Sequence, residues 1–430
     1  MEPGCMPFQG AIGISNGKIE AIWEGEGSES DAHEFLDARG MIVLPGLING
    51  HVHGDMTIVR GLLEDLTLQE QNRKVEPYNY LLDILSDEVR IISRKLTYAE
   101  ALKGGTTFLC ENMYWSLGAQ SVQAMKDSGI RGALVEDARP DFTQPDRFFK
   151  TEEMGLLFDL FREEGFVPVI GGIAEEDFSI DRLKKLRAIQ EQTGALLTMH
   201  LAETNWRLEA VQQMAGITSI HFLEKNGLLS DRLIGSHAVW VDDDEIEMLS
   251  VAGVKVVSTP VCEMKIADGI APIPKYLQKG ITVGLGTDGA LWNNSSDLFG
   301  EMKTLALLHK LNSGVRSISA RQALEMATIQ GATVFGIQDE TGSLREGKRA
   351  DIILLNANQL HMAPLRWKHL DNVFSMVVFC ATANDVEHVI LGGEPVVFNN
   401  KLLTLDEREL LLEVETISES ITNKLPKEWL

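Results

Sequence analysis

Cysteine and basic residues are both scarce in this sequence, and each shortage argues against a class of function. Four cysteines are scattered over 430 residues without a Cys-x-x-Cys pair, which argues against a disulfide framework and a thiolate zinc cluster. Lysine and arginine total 39 against 63 aspartate and glutamate residues, and the formal net charge is -24. Nucleic acids and anionic membranes are therefore poor partners, because binding them requires clustered positive charge.

Long apolar runs are also missing. No stretch is long enough to span a bilayer, and the first ten residues lack the basic start and apolar run of a signal peptide. These absences, with the scattered cysteines, predict a soluble protein of the reducing cytoplasm. The hydrophobic fraction of 44% is spread along the whole chain and predicts a folded core.

The order of predicted strands and helices indicates an α/β fold. Short alternating runs around Asn16-Gly17 predict a β-hairpin near the start. Residues 45–339 then alternate short apolar strands with amphipathic helices, which is typical of a (β/α)8 TIM barrel. Strands return after Gly342, and the tail from Asp406 to Lys424 has the pattern of a charged amphipathic helix. We predict a small β-sandwich domain built from both chain ends, 1–44 and 340–430, with the N-terminal strands and the later strands in one sheet.

Three segments near the ends of predicted strands carry metal-binding residue types. His51 and His53 form a His-x-His pair, whose side chains point to the same side of a strand because strand side chains alternate. His200 ends a second strand and is followed by Glu203, and Asp288 follows a third strand between glycines. Taken alone, each segment can be explained as ordinary polar residues or as a turn, without any role in metal binding. Together, three imidazoles and one carboxylate predict a site for one divalent ion and a water.

His237 also ends a predicted strand, and it is either a satisfied buried histidine or a residue of the same site.

With these segments in place, the chain resembles the amidohydrolase superfamily, in its branch of S-adenosylhomocysteine/5′-methylthioadenosine deaminases and triazine chlorohydrolases. The resemblance covers nearly the whole chain. The matching segments are Pro45 to His53, Val59 to Gly61, Gly104 to Thr107, His200 to Thr204, Ile270 to Pro272, Gly286 to Gly289 with Asn293 and Asn294, and Gly342 to Asp351.

The resemblance implies metal ligation by His51, His53, His200 and Asp288, and catalytic roles for Glu203, His237 and Asp288. Glu203 would take a proton from water activated by the metal and pass it to the leaving group, while His237 stabilises the addition intermediate. Binuclear relatives carry a lysine after the fourth barrel strand, and the matching stretch, 169–174, has none. One divalent ion is therefore expected, zinc with iron as the alternative.

Departures from the family pattern fall in the substrate pocket. Asn79 stands where nucleoside-processing relatives have a ribose-binding glutamate, Gln71 replaces a tryptophan, and Ile173 replaces a histidine. These changes predict a pocket unlike that of adenosine-type enzymes. Loop residues that could contact substrate instead are Glu111, Asn112, Arg139, Glu175 and Trp292.

The sequence thus predicts a hydrolytic deaminase that releases ammonia from an amino-substituted N-heterocycle of the purine, pterin, pyrimidine or triazine type. Two alternatives stay open. One is a hydrolase that removes chloride or an alkylamine from a triazine-like ring, and the other is a catalytically silent binding protein on the same barrel. The expected partner is a small heterocyclic molecule, and a homodimer is a family-level expectation.

Overall fold

A computed structural model describes residues 5–25, 33–112, 118–138, 149–367 and 372–429. The strands are β1 Gly10–Ser15, β2 Lys18–Glu24, β3 Met41–Pro45, β4 Leu47–Val52, β5 Thr106–Asn112, β6 Arg131–Asp137, β7 Val167–Ile173, β8 Leu196–Leu201, β9 Leu233–His237, β10 Lys255–Ser258, β11 Val283–Leu285, β12 Ile352–Asn356, β13 Val386–Leu391, β14 Glu394–Phe398 and β15 Lys401–Leu402. The helices are α1 Leu68–Val75, α2 Asp87–Lys103, α3 Ala119–Ser128, α4 Thr151–Glu163, α5 Ile180–Thr193, α6 Asn205–Ala215, α7 Ser219–Lys225, α8 Asp243–Ala252, α9 Pro260–Lys265, α10 Ile273–Gln278, α11 Leu298–Ser313, α12 Ala320–Met326, α13 Ile329–Val334, α14 Val373–Phe379 and α15 Glu407–Thr422.

The predicted barrel is confirmed. Strands β4 to β11 lie side by side in chain order, and all seven neighbouring pairs are parallel. The backbone N–H groups of Thr287 and Asp288 both donate to the carbonyl of His51, at 3.1 and 2.9 Å, and so tie the last strand to the first. Helices pack outside through apolar stripes, such as Met154, Phe158 and Phe161 on α4. The carboxyl ends of eight strands therefore meet at one rim.

The small domain contains residues from both ends of the chain, but not in the single sheet that the sequence predicted. Strand β3 pairs with β12 in a five-stranded antiparallel sheet of order β15-β14-β13-β12-β3. The β1–β2 hairpin is a separate two-stranded sheet, turned at Asn16 and Gly17, whose φ angles are 50° and 76°. Its Ile19 side packs against Ile352 and Leu354 of the larger sheet, and backbone hydrogen bonds and the Lys18–Arg349 bridge link it to residues 347–350.

The amphipathic stretch 320–336 is broken into two helices. Thr328 separates α12 from α13 with φ -133° and ψ -100°, which no helix accommodates. The tail helix α15, at Glu407–Thr422, begins and ends within two residues of the predicted stretch 406–424. In the part of the chain described, no helix has both the length and the apolar character needed to cross a bilayer.

A second apolar cluster lies beside the rim. We call it the cap cluster, and its members come from the loop after His53, from α1 and the turn 76–81, from residues 262–292 and from the C-terminal segment. They are Met56, Val59, Leu63, Leu68, Val75, Leu81, Ile84, Leu85, Cys262, Ile266, Leu291, Trp292, Ile421, Leu425 and Trp429. Tyr78 packs edge-on against Trp429, with ring centroids 5.2 Å apart. The end of the chain thus packs on the residues that border the rim.

Candidate active site

Four predicted metal ligands come together at the rim. His51 lies in β4 with His53 just after it, His200 lies in β8, and Asp288 follows β11. The Nε2 atoms of His53 and His200 are 3.2 Å apart. The Oδ1 atom of Asp288 lies 3.7 Å from His51 Nε2 and 3.5 Å from His53 Nε2. These spacings match the edge of a tetrahedral zinc shell, about 3.4 Å for bonds of about 2.1 Å.

A fifth residue, His237, lies close enough to complicate the choice of ligands. The described residues form two overlapping groups whose donor atoms all lie within 4.8 Å of one another: His51, His53 and Asp288, and His51, His200 and His237. His51 belongs to both groups. Its Nε2 atom is buried and has no hydrogen-bond partner among the described residues. A metal ligand needs a free lone pair, and a buried nitrogen without a hydrogen-bond partner provides one.

Neighbouring groups fix the orientation of each ligand. The carbonyl oxygen of Asn112 accepts from Nδ1 of His53 at 2.9 Å, so the lone pair of that ring lies on Nε2. Ser236 Oγ lies 2.9 Å from Nδ1 of His51. The Asp288 carboxylate accepts from the Cys262 thiol at 2.9 Å and from the Gly289 N–H at 2.7 Å. Such contacts hold a ligand set in place before an ion arrives.

The site favours neutral imidazoles, which are the form that binds metals. Burial lowers the pKa of His51 well below its usual value, and the nearby His53, His200 and His237 lower it further. Burial likewise lowers the pKa of His200 well below its usual value, although Glu203 opposes the shift. Both rings therefore present lone pairs at neutral pH.

Glu203 and His237 lie next to the ligand group. Glu203 follows β8, and its Oε1 atom is 3.9 Å from Nε2 of His237. Its other oxygen forms an ion pair with Arg207, one turn further along α6. Nδ1 of His237 is hydrogen-bonded to Thr259 Oγ1 at 2.9 Å. Burial would raise the pKa of Glu203, but electrostatic interactions with His237, Arg207 and His200 outweigh it and lower the pKa, so the group is a carboxylate.

Strained backbone supports these positions. Ala202, His237 and Ala238 have φ angles of 47°, 71° and 48°, a left-handed region that side chains with a Cβ seldom adopt. The N–H groups of Ala238 and Trp240 bond to the carbonyls of Leu201 and Ala202, at 2.9 and 2.8 Å, and link the ends of β8 and β9. Such strain persists where surrounding structure enforces it, and it is concentrated at functional sites.

The predicted substrate contacts have different surroundings. Trp292 packs its ring edge-on against His53, with centroids 5.4 Å apart, and is buried over the ligands. Asn79 lies half-buried in the turn 76–81 with a left-handed backbone, φ 51°. Glu111 is fully buried and directed toward the protein, where it accepts from the Gly54 N–H at 3.0 Å and pairs with Arg94 at 3.3 Å.

Three other candidates complete that set. Asn112 uses its backbone to hold His53, and Glu175 is buried with Oε1 accepting from the N–H of Ala202. Ile173 ends β7, which places its backbone at the rim. Arg139 lies outside the described residues.

Sequence reasoning missed three titratable residues in or near the site. Arg94, on α2, is fully buried between Asp55 and Glu111, and no local pattern marks it. Arg207 could have been found, because residues four apart on a helix are neighbours and it follows Glu203 by four. Asp268 lies beside Glu203 from a distant part of the chain, in the loop after α9, so only the fold brings it there.

The chain is similar to known proteins over most of its length. The model of the Amidohydrolase family matches residues 42–396. A 5′-deoxyadenosine deaminase from Methanosarcina acetivorans is 34% identical over 427 residues, covering 96% of this chain and 93% of its own. A 5-methylthioadenosine/S-adenosylhomocysteine deaminase from Syntrophobacter fumaroxidans is also 34% identical, with the same coverage. The solved structure of an adenosine deaminase from Xanthomonas campestris with bound zinc has a TM-score of 0.87 and 26% identity, covering 96% of this chain and 94% of its own.

Proposed function

Because this chain belongs to the Amidohydrolase family, we propose that the cluster of His51, His53, His200 and Asp288 is its catalytic metal site. The protein is a metal-dependent hydrolytic deaminase of an amino-substituted N-heterocycle. The observation that carries the proposal is the 3.2 to 3.7 Å spacing of the donor atoms at the rim, directly beside Glu203 and His237.

The donor set supports zinc as the ion. Three neutral imidazoles and one carboxylate suit zinc, and the unmatched Nε2 atom of His51 gives the ion a place in a buried shell. A single ion is favoured because the end of the fourth barrel strand, at residues 169–174, carries no lysine to bridge a second. When bound, such an ion lowers the pKa of water and supplies a hydroxide-like nucleophile at neutral pH.

Glu203 is the group placed to move protons. As a carboxylate it accepts a proton from the attacking water, and it then delivers that proton to the substrate so that nitrogen leaves as ammonia. His237, 3.9 Å from Glu203, stabilises the oxygen that adds to the ring carbon. Thr259 holds the orientation of His237 through the hydrogen bond at Nδ1. Trp292 lies over His53 and excludes water from that side.

Adenine nucleosides are the first candidate substrates. The departures at Asn79, Gln71 and Ile173 predict a modified pocket, but two relatives with 34% identity are named for deamination of 5′-modified adenosines. The Gln71 side chain is hydrogen-bonded within the protein, because its amide donates to the carbonyl of Leu63 at 3.2 Å. A nucleoside altered at the 5′ position is therefore the form that we propose.

The test is ammonia release by the zinc-loaded protein with adenosine, 5′-deoxyadenosine, adenine, guanine, an aminopterin-type ring and an aminotriazine. We expect an adenine nucleoside to be the best substrate. Glu203→Gln should lower kcat by about 10²- to 10⁴-fold, the range for loss of a general acid–base group.

Glu209→Gln, on helix α6 just after Glu203, is the matched control and should retain full activity, because its side chain is exposed. Chloride or alkylamine release from a triazine without ammonia release from any ring would contradict the deaminase proposal. We also propose that the protein is a cytoplasmic homodimer, with the barrel over residues 45–339 and the small domain over residues 1–44 and 340–430. Gel filtration with light scattering tests the dimer.

A further inference from the structure

Glu301 is a fully buried carboxyl group that the proposed mechanism does not use. It lies in the first turn of helix α11, and its two oxygens accept hydrogen bonds from two different segments. Oε2 accepts from the backbone N–H of Val261 at 3.1 Å, and Oε1 accepts from the side-chain amide of Asn293 at 2.5 Å. One carboxyl group therefore joins the start of α9 to the loop that follows β11.

The Asn293 contact leads to the proposed metal ligand Asp288. The same amide nitrogen of Asn293 also donates to the carbonyl of Thr287 at 2.6 Å. Both of its partners are acceptors, so the nitrogen of the amide, and not its oxygen, must face them. Thr287 directly precedes Asp288, whose φ angle of 63° lies in the left-handed region. The backbone that presents the Asp288 carboxylate is thus connected to Glu301 through a single side chain.

The Val261 contact leads to His237. Val261 lies in the first turn of α9, two residues after Thr259, whose hydroxyl is hydrogen-bonded to Nδ1 of His237 at 2.9 Å. The first N–H groups of a helix have no partner within that helix, and an acceptor from elsewhere must satisfy them where they are buried. Glu301 supplies that acceptor and thereby holds the turn that carries the Thr259 hydroxyl.

We propose that Glu301 is a positioning residue that holds the metal ligand Asp288 and the Thr259 hydroxyl in one arrangement. The inference rests on the proposed metal site and on the proposed role of His237. Both partners of Glu301 are N–H donors, so the side chain must offer an acceptor at each of its two ends. An apolar side chain would fill the same space without this connection. Metal binding and the orientation of His237 therefore depend on one group outside the ligand shell.

The first measurement is zinc affinity, by calorimetric titration of the zinc-free protein. Glu301→Met fills the space but accepts no hydrogen bond from either partner, and it should weaken zinc binding by about 10- to 100-fold, the range for loss of a group that supports a ligand. Asn293→Ala should weaken it to a similar extent, because it breaks the connection to Thr287. Glu301→Gln keeps one acceptor oxygen and should lose less, about three- to tenfold.

Asp297→Ala is the matched control on the same helix. The Asp297 side chain accepts from the N–H of Phe299 at 2.9 Å and caps α11, so its removal weakens the helix but leaves the contacts of Glu301 in place. Its zinc affinity should stay within about threefold of the wild-type value, because no ligand loses its support.

The second measurement is ammonia release at saturating zinc, which tests the connection to His237 separately. Glu301→Met should lower kcat by about 10- to 100-fold even with the metal site filled, because the Thr259 turn has lost its anchor. Asn293→Ala leaves the Val261 contact intact and should retain kcat within about threefold once zinc saturates the site.

The outcomes separate the two proposals. Zinc affinity that is unchanged in Glu301→Met, or equally reduced in Asp297→Ala, would overturn the role of Glu301. If Glu301→Met does not fold, unchanged affinity in Glu301→Gln would overturn it instead. Weaker zinc binding with full kcat at saturating zinc would overturn the connection to His237. Absence of ammonia release by the wild-type protein would overturn the deaminase proposal and that connection, whereas the zinc titration alone decides the connection to Asp288.

Discussion

At the scale of single residues, the site depends on groups that contact the proposed ligands and catalytic residues. Ser236 bonds to Nδ1 of His51, and Thr259 makes the same kind of bond to Nδ1 of His237. The two hydroxyls lie at the ends of neighbouring strands, β9 and β10, and differ in which histidine they orient. Substituting each of these residues in turn therefore tests metal binding and catalysis separately.

Removing the Ser236 hydroxyl should lower zinc affinity, whereas removing the Thr259 hydroxyl should lower the catalytic rate. Ser236→Ala should weaken zinc binding by about 10- to 100-fold, because an unsupported imidazole rotates away from the ion. Thr259→Val should leave zinc affinity unchanged and lower kcat instead. Competition with a chromophoric chelator measures the affinity. Weaker zinc binding in Thr259→Val would show that His237 belongs to the ligand shell, in place of one of the four ligands.

At the scale of elements, helix α2 holds the loop that follows the first two ligands. Ser93 Oγ and Thr97 Oγ1 donate to the carbonyl of Gly54 at 2.8 and 3.1 Å, and Arg94 pairs with Asp55 at 3.2 Å. Arg94 also pairs with Glu111 at the end of β5. A single buried cation thus connects a helix, a strand and the loop after His53.

Replacing Arg94 should destabilise the whole protein. Arg94→Met leaves two buried carboxyl groups without their partner, and we expect it to lower the free energy of unfolding by about 3 to 5 kcal/mol. Urea denaturation followed by circular dichroism measures the change. Arg187→Met removes an exposed pair with Glu191 on α5 and is the control, with an expected change below about 0.5 kcal/mol. Similar losses in both variants would refute a special role for Arg94.

The sequence predicted the site residues whose positions follow from local strand patterns, and it missed those that only packing brings together. His51 and His200 lie near the ends of recognisable strands, and His53 and Asp288 follow such strands, so the period of two and the turn residues predicted their place at the rim of a barrel. Arg94 and Asp268 were missed because their partners are distant in sequence, and only packing brings an arginine in α2 to a strand end. The β1–β2 hairpin itself was predicted, but its separation from the larger sheet was not, since alternation predicts a strand but not its partner.

At the scale of the whole molecule, the proposed metal couples catalysis to stability. The ligands come from β4, β8 and β11, so an ion would connect the first, fifth and last strands of the barrel. An ion that binds only the folded state stabilises it by about 3 kcal/mol when free ion is about 100 times its Kd. The net charge of -24 adds to the benefit, because a cation reduces repulsion among acidic groups.

Removing the metal with a chelator should therefore lower the melting temperature, and adding zinc should restore it. Differential scanning calorimetry measures both changes. Asp288→Asn should melt at one temperature with or without zinc, because it lacks the carboxylate ligand. A zinc-dependent rise of equal size in Asp288→Asn would place the stabilising ion elsewhere.

The cap cluster has a consequence for how the protein is made. His51 and His53 leave the ribosome early, whereas Asp288 follows much later and Leu425 and Trp429 later still. Strand β4 cannot complete its barrel until β11 has been synthesised, and the residues that border the rim gain their last packing partners from the end of the chain. The pocket therefore gains its last neighbours only after Leu425 and Trp429 have been synthesised, and a nascent chain that presents only its first two histidines lacks the other two proposed ligands.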